Sequence, residues 1–223
     1  MESDTTKLLL DLNWSLEELS EVTHNYTRVY GFAFSLLGDL RGIEERKVQL
    51  VYSKFPWRGG YSTVHFFNNL FKGIPENGKP EIEEIKYASP GHIELAVILE
   101  AAIHVGVMVA AVAVLYNAAS ETYKSLHSRS SQMKLSQVDA SNDRGMTAAQ
   151  TSFVKDASEK MEQVLGLTEQ QRGVLEARVD GNKLMKMKIL FSVFRRVEPL
   201  AEKQAQKKLK IQTSPDQVLT SDE

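Results

Sequence analysis

The hydrophobic and polar positions of the N-terminal third alternate between strand-like runs and helical stripes. Residues 7–12 are a short apolar run of the kind found in strands. Ser15 and Glu18 then have the spacing of a capping box, and apolar residues recur every three or four positions up to Leu37. This pattern predicts an amphipathic helix that begins at residue 15.

The following fifty residues predict further short elements. Residues 47–55 are rich in β-branched and aromatic side chains, which favours a strand. Residues 61–71 fit a helical stripe slightly better than a strand, and residues 81–87 predict another strand. We therefore expect residues 1–90 to form an α+β head domain, a small sheet with a packed helix.

The segment over residues 93–116 is apolar on every side. Its mean hydropathy between residues 96 and 114 is about 2.3, within the range typical of membrane-spanning segments. We expect one long apolar helix here, with a polar helical extension, over residues 91–138. Only Glu100 and His104, four residues apart on one helical face, interrupt the apolar character.

The remainder of the chain predicts a linker, helices and a tail. Residues 139–145 are polar and predict a linker, residues 146–212 predict a helical basic region, and residues 213–223 predict a disordered tail. Thr168 and Gln171 have capping-box spacing, residues 180–182 predict a break, and Pro199 predicts a kink or an end. The predicted fold class is α+β: a small N-terminal sheet with a packed helix, then a long apolar helix and a helical C-terminal region.

Composition excludes several classes of protein. The chain has 223 residues, of which 42% are hydrophobic and 25% charged, with a formal net charge of -2. These values are ordinary for a folded protein. Because there is no cysteine, disulfides, thiolate metal sites and cysteine nucleophiles are excluded. The first 20 residues lack a basic region followed by an apolar core, so we expect no secretory signal.

We find no convincing catalytic or cofactor-binding motif in the sequence. Residues 73–80 reproduce the glycine and lysine spacing of a P-loop, but Pro80 replaces the magnesium-binding hydroxyl residue and Pro75 disturbs the amide cradle. No two histidines have metal-ligand spacing within one element, and neither HExxH nor GxSxG occurs. We therefore predict no catalytic residues, no metal and no cofactor.

Two features of the apolar segment suggest contacts with other helices. Small residues at Ala102, Gly106 and Ala110 would allow close approach of a neighbouring copy. Glu100 and His104 would then face the interior of a helix bundle. The alternative, which we weigh more heavily for this pair, is an ordinary hydrogen-bonded contact in a folded core.

The last predicted helix combines apolar residues with a basic set: Lys183, Lys186, Lys188, Arg195 and Arg196. Such a basic amphipathic helix suits an anionic membrane surface, RNA or a partner groove. A packed helix with a solvated basic face is the simpler interpretation. We predict no specific nucleic-acid partner.

These expectations lead to a non-enzymatic, membrane-associated assembly protein that self-associates through the apolar helix as a homo-oligomer, with membrane lipid as a further candidate partner. Basic residues after that helix favour a cytosolic C-terminal side, which would place the acidic head domain across the membrane, an awkward arrangement. The alternative is therefore a soluble, cytoplasmic oligomeric interaction protein with the same helix in its core. A second alternative is an enzyme with a dispersed active site.

Overall fold

The computed structural model describes residues 4–54, 59–88, 90–138 and 145–213. It is an α+β fold, as the sequence predicts. Its strands are β1 (Thr5–Leu10), β2 (Glu81–Lys86), β3 (Gly91–Ala96) and β4 (Leu209–Thr213). Its helices are α1 (Leu16–Ser35), α2 (Gly42–Lys54), α3 (Gly59–Gly73), α4 (Leu99–Val114), α5 (Tyr116–Gln132), α6 (Ala148–Val164), α7 (Glu169–Arg178) and α8 (Lys183–Ala205).

The four strands form one antiparallel sheet in the order β2-β3-β1-β4. Alternate residues of β1 and β3, including Leu8, Ile93 and Leu95, are buried, as expected for a sheet with one face against helices. Strand β2, at one edge of the sheet, is exposed along its whole length. The sheet therefore joins the helical core mainly through its other three strands.

Helix α8 lies at the centre of the helical layer. It packs against α1, α4, α5, α6 and β4, and its buried residues are distributed around its whole circumference. It is therefore a packed helix, the simpler interpretation of its sequence, rather than a helix lying on a surface. Pro199 neither ends nor divides it, since α8 continues to Ala205.

Helix α1 begins where the capping box predicts. The Ser15 hydroxyl accepts a hydrogen bond from the Glu18 backbone N–H at 3.1 Å, and the Glu18 carboxylate accepts one from the Ser15 N–H at 3.0 Å. The same carboxylate forms ion pairs with Lys203 at 2.8 Å and Lys208 at 2.7 Å. These two lysines, with the Ser15 N–H, lower the pKa of Glu18 to about 2 and tie α1 to the end of α8.

The strand predicted over residues 47–55 is wrong. The described part of that segment belongs to helix α2, in which Val48, Val51 and Tyr52 are buried at helical spacing. Packing of this face against α3 outweighs the weak β propensity of its residues. The helix preferred for residues 61–71 is confirmed as α3, and the strand predicted over residues 81–87 is confirmed as β2.

The single helix predicted for the apolar segment is also wrong in its limits. Residues 91–96 form β3 between β1 and β2, and helix α4 begins only at Leu99. The polar extension is a separate helix, α5, which is bent by 92° from α4. Among the described residues, no helix meets the length and hydropathy of a membrane span alone, whereas the bent pair α4 and α5 meets them together.

The C-terminal region contains the predicted helices and one strand that was not predicted. The Thr168 and Gln171 capping box is present at α7, and the break at residues 180–182 separates α7 from α8. Thr213, placed in the disordered tail, belongs instead to β4; residues 214–223 and most of the predicted linker lie outside the described residues. Strands from the predicted head, middle and C-terminal segments thus share one sheet.

Candidate functional site

The three small residues of the apolar helix lie within the fold of their own chain. Ala102 is fully buried, and a Cβ at Gly106 would lie 3.8 Å from the Cγ2 of Ile211 in β4. Ala110 is half-buried. Neither Ala102 nor the Gly106 approach to β4 is available to a second copy unless this packing opens.

Glu100 and His104 lie at the start of α4, at the edge of the core. The Nε2 of His104 is 4.0 Å from the Glu100 Oε1, and the Glu100 side chain is largely exposed. Burial lowers the pKa of His104, although the nearby Glu100 carboxylate opposes this effect. The geometry is that of a local polar contact within one helix.

The five basic residues of α8 occupy different environments. Lys183 and Arg195 are exposed, whereas Arg196 is buried. Lys186 forms ion pairs at 2.7 Å with both Glu162 and Glu176, and the Lys188 Nζ donates to the Val138 carbonyl oxygen at 3.0 Å. They do not form one basic surface.

Two of these residues, Arg195 and Arg196, instead line a cleft with residues from two other helices. Helix α1 contributes Asn25 and Arg28, and helix α3 contributes Thr63. The cleft has a volume of about 270 Å³. Because α1 packs against both α3 and α8, Arg28 meets the consecutive pair Arg195 and Arg196 here. We call this site the arginine cleft.

Arg196 is the most buried of the three arginines, with 7% of its surface exposed. Its guanidinium lies 4.1 Å from the centre of the Phe67 ring, and its Nη1 donates to the Ser192 carbonyl oxygen at 2.7 Å. Within the described part of the chain, the buried Nε atoms of Arg196 and Arg28 have no hydrogen-bond partner.

No carboxylate neutralises the arginine cleft among the described residues. None of the ion pairs found there includes Arg28, Arg195 or Arg196. The neighbouring sequence before Thr63, residues 55–62, contains no acidic residue. Neither the described ion pairs nor the sequence of residues 55–62 therefore supplies a carboxylate that offsets the positive charge of the cleft.

The electrostatic consequences are visible in two pKa values. Burial, reinforced by the charges of Arg28 and Arg195, lowers the pKa of Arg196 to about 9. Partial burial, followed by the charges of Arg28 and Arg196, also lowers the pKa of His24 on α1. Both changes indicate a site where positive charge is disfavoured unless an anion is added.

A second pocket of about 220 Å³ adjoins the arginine cleft. Thr63 and Arg195 line both spaces, so they form the border between them. The remaining lining of the second pocket combines hydroxyls with apolar and basic side chains: His127, Ser130, Ser131, Ser136, Met187, Lys188, Phe191 and Ser192. Hydrogen-bonding groups and apolar surface therefore lie beside the arginine cleft.

A third group of polar residues lies on the outer face of the sheet. Glu84, His92 and Glu94 place one potential metal-ligating atom each within 4.8 Å of one another. The Lys7 ammonium, however, is 3.2 Å from the Glu94 carboxylate and already offsets its charge. A cation would have to compete with this lysine, so the arginine cleft is the stronger candidate site.

Sequence reasoning missed three of the five residues that line this site. It selected Arg195 and Arg196 as members of a basic surface, but it assigned no role to Asn25, Arg28 or Thr63. Asn25 and Arg28 are three residues apart on one helix, a spacing that alone indicates only a shared face. The informative signal, three arginines with no ion pair to a described carboxylate, exists only after folding.

The described residues define a mostly helical α+β protein with a cleft lined by three arginines, none of which forms an ion pair within that part of the chain. Searches against protein-family models, curated proteins and solved structures gave no significant match.

Proposed function

We propose that the protein is a non-enzymatic binding protein that holds an anionic ligand in the arginine cleft. The observation that carries this proposal is the buried Arg196 guanidinium beside Arg28 and Arg195, without a carboxylate partner in the described chain. A buried charge without a counter-charge is costly, and an anion bound in the cleft would offset that cost.

Another buried arginine of this chain shows what a structural role looks like. Arg178 is 6% exposed, and its two terminal nitrogens donate to the Glu45 carboxylate at 2.5 and 2.6 Å. Its Nε donates to the Ser35 carbonyl oxygen at 3.2 Å. This bidentate pairing is the usual solution for a buried arginine. Arg196 has no such pairing with a described carboxylate, which supports a role in binding.

Thermal unfolding in different anions tests the proposal. Phosphate and sulfate should raise the Tm of the wild-type protein relative to chloride at the same ionic strength. At a concentration of 100 times Kd, ligand binding stabilises a protein by about 2.7 kcal/mol. Arg196→Met should lose this effect, whereas Lys183→Met, a change at an exposed position of the same helix, should retain it. No anion-specific increase in wild-type Tm would reject the proposal.

The second candidate function is the self-association predicted from the sequence, at a different surface of α4. Val107 and Val114 are exposed at positions i and i+7 on one side of α4, and Leu115, directly after the helix end, is exposed as well. A second copy of the chain, packed on this stripe, would cover it. Membrane association remains part of this candidate, since the same stripe would also suit lipid.

Light scattering during size-exclusion chromatography tests the second candidate. The wild type should form a dimer or larger oligomer that Val114→Glu dissociates, with the same helical content in both proteins. A wild-type monomer at high concentration would reject self-association. Binding of the monomer to vesicles, abolished by Val114→Glu, would instead assign the stripe to lipid.

A further inference from the structure

We infer that the ligand of the arginine cleft is an organic phosphate monoester, whose phosphate lies among Arg28, Arg195 and Arg196 and whose organic group occupies the adjoining pocket. This inference rests on the proposed function, because it names the class of anion. Its structural basis is that the two spaces are adjacent, with Thr63 and Arg195 lining both.

The cationic part of the site fits a dianion with several terminal oxygens. Three arginines line the cleft, and a guanidinium offers several N–H donors in a planar fork that matches phosphate oxygens. Asn25 and Thr63 add an amide and a hydroxyl to the same wall. A doubly charged phosphate monoester would offset more of this positive charge than a carboxylate or a phosphate diester.

The adjoining pocket fits the organic part of such an ester. Its wall includes the buried side chains of Met187 and Phe191, and the exposed His127 lies 6.2 Å from the Phe191 ring, centre to centre. Serine hydroxyls on α5, Ser130 and Ser131, line the same space. A volume of about 220 Å³ is enough for a ring or a short chain, but it is small for a macromolecular segment.

The arrangement of Arg195 supports the connection between the two parts. Its Nη2 donates to the Ser192 hydroxyl at 3.0 Å, and Ser192 lines the adjoining pocket. The neighbouring Arg196 donates to the Ser192 carbonyl oxygen. One turn of α8 therefore contributes to the walls of both spaces, which places a bound phosphate beside its organic substituent.

A phosphate monoester can come from a soluble metabolite or from a lipid with a phosphomonoester headgroup. Isothermal titration calorimetry with inorganic phosphate and phenyl phosphate tests the shared chemistry. A ring that buries roughly 60 Å² of apolar surface should strengthen binding about tenfold. Vesicles of phosphatidylcholine with and without phosphatidic acid then distinguish the source. Protein binding to the phosphatidic acid vesicles that phenyl phosphate displaces indicates a lipid ligand. No binding to these vesicles indicates a soluble ester.

Paired variants of α5 separate the two halves of the site. Ser131→Trp fills the adjoining pocket, whereas Ser128→Trp places the same side chain at an exposed position outside it. We expect Ser131→Trp to remove the advantage of phenyl phosphate and leave phosphate binding unchanged, and Ser128→Trp to change neither. Arg196→Met should weaken the binding of both phosphate and phenyl phosphate at least tenfold.

The outcomes distinguish this inference from the proposed function. Equal affinity for phosphate and phenyl phosphate, both lost in Arg196→Met, would overturn the ester inference but leave anion binding in place. Tighter binding of a dicarboxylate such as malonate than of either phosphate would do the same. Absence of binding by every anion would overturn both.

Discussion

Replacing Arg196 with methionine should stabilise the ligand-free protein. Burial and two neighbouring arginines lower the pKa of Arg196 to about 9. A base whose pKa falls on folding destabilises the fold while it is charged, so the penalty is present at neutral pH and decreases only as the pH rises above about 9. A tenfold change in an acid dissociation constant corresponds to about 1.4 kcal/mol, so lowering the pKa of Arg196 from 12.5 to about 9 gives a penalty of at most about 5 kcal/mol.

The measurable gain should be smaller than that limit. The Arg196 guanidinium recovers part of its desolvation cost from the Phe67 ring and the Ser192 carbonyl oxygen. Methionine keeps an unbranched apolar side chain against the same ring, so we expect a net stabilisation of about 1–3 kcal/mol.

Urea denaturation in chloride buffer at pH 7 measures this change, with Lys183→Met as the control for removal of an exposed charge from α8. The control should alter the unfolding free energy by less than about 0.5 kcal/mol. In saturating phosphate the order should reverse, because only the wild type gains from ligand binding. A loss of stability in Arg196→Met without ligand would refute the reasoning and assign Arg196 a structural role.

Three further predictions test other contacts of the fold. Glu18→Gln should reduce the loss of stability that the wild type shows between pH 4.5 and about 2, because the lowered pKa of Glu18 makes its charged form stabilising. Urea midpoints across that pH range measure the loss, and parallel pH profiles of the two proteins would contradict the prediction. Gly166→Ala should cost about 2–3 kcal/mol of stability, since φ is +64° and the new Cβ would lie 2.8 Å from the Cβ of Ala111. The control Gly181→Ala, at φ +69° in open space, should cost about 1 kcal/mol. Equal losses of stability in urea would argue against close packing at Gly166. Tyr30→Phe should cost about 1–3 kcal/mol in the same assay because the hydroxyl bonds one backbone carbonyl and one backbone N–H, and an unchanged midpoint would show that water replaces it.

Features encoded within one turn of chain were predictable from the sequence. The capping boxes at Ser15 and Thr168 each need only four consecutive residues, and both start helices in the structure. The break at residues 180–182 is equally local: Asp180 and Gly181 adopt positive φ values of 51° and 69°. Such signals do not depend on where the rest of the chain lies.

Features that depend on distant partners were predicted poorly. Residues 91–96 alternate polar and apolar side chains, with Ile93 and Leu95 facing the core, but the hydropathy of the following residues concealed this strand signal. Strand β4 exists because β1 offers an edge about two hundred residues earlier in the sequence. Helix α2 is fixed by packing against α3 rather than by its own propensities.

The candidate site shows the same division. The basic character of α8 was evident from its residues, yet the burial of Arg196 depends on the position of α8 among α1, α3 and α4. Arg28 gave no signal by itself, because a single arginine in an amphipathic helix is ordinarily solvated. Charge without a nearby counter-charge is a property of the folded arrangement.

Nuclear magnetic resonance of the histidine side chains tests the central claim most directly, because it reports on the cleft itself. The charges of Arg28 and Arg196 contribute to the lowered pKa of His24. In saturating phosphate at constant ionic strength, the pKa of His24 should rise, and Arg196→Met should abolish the rise. Phosphate that leaves the pKa of His24 unchanged in the wild-type protein would contradict anion binding in the arginine cleft.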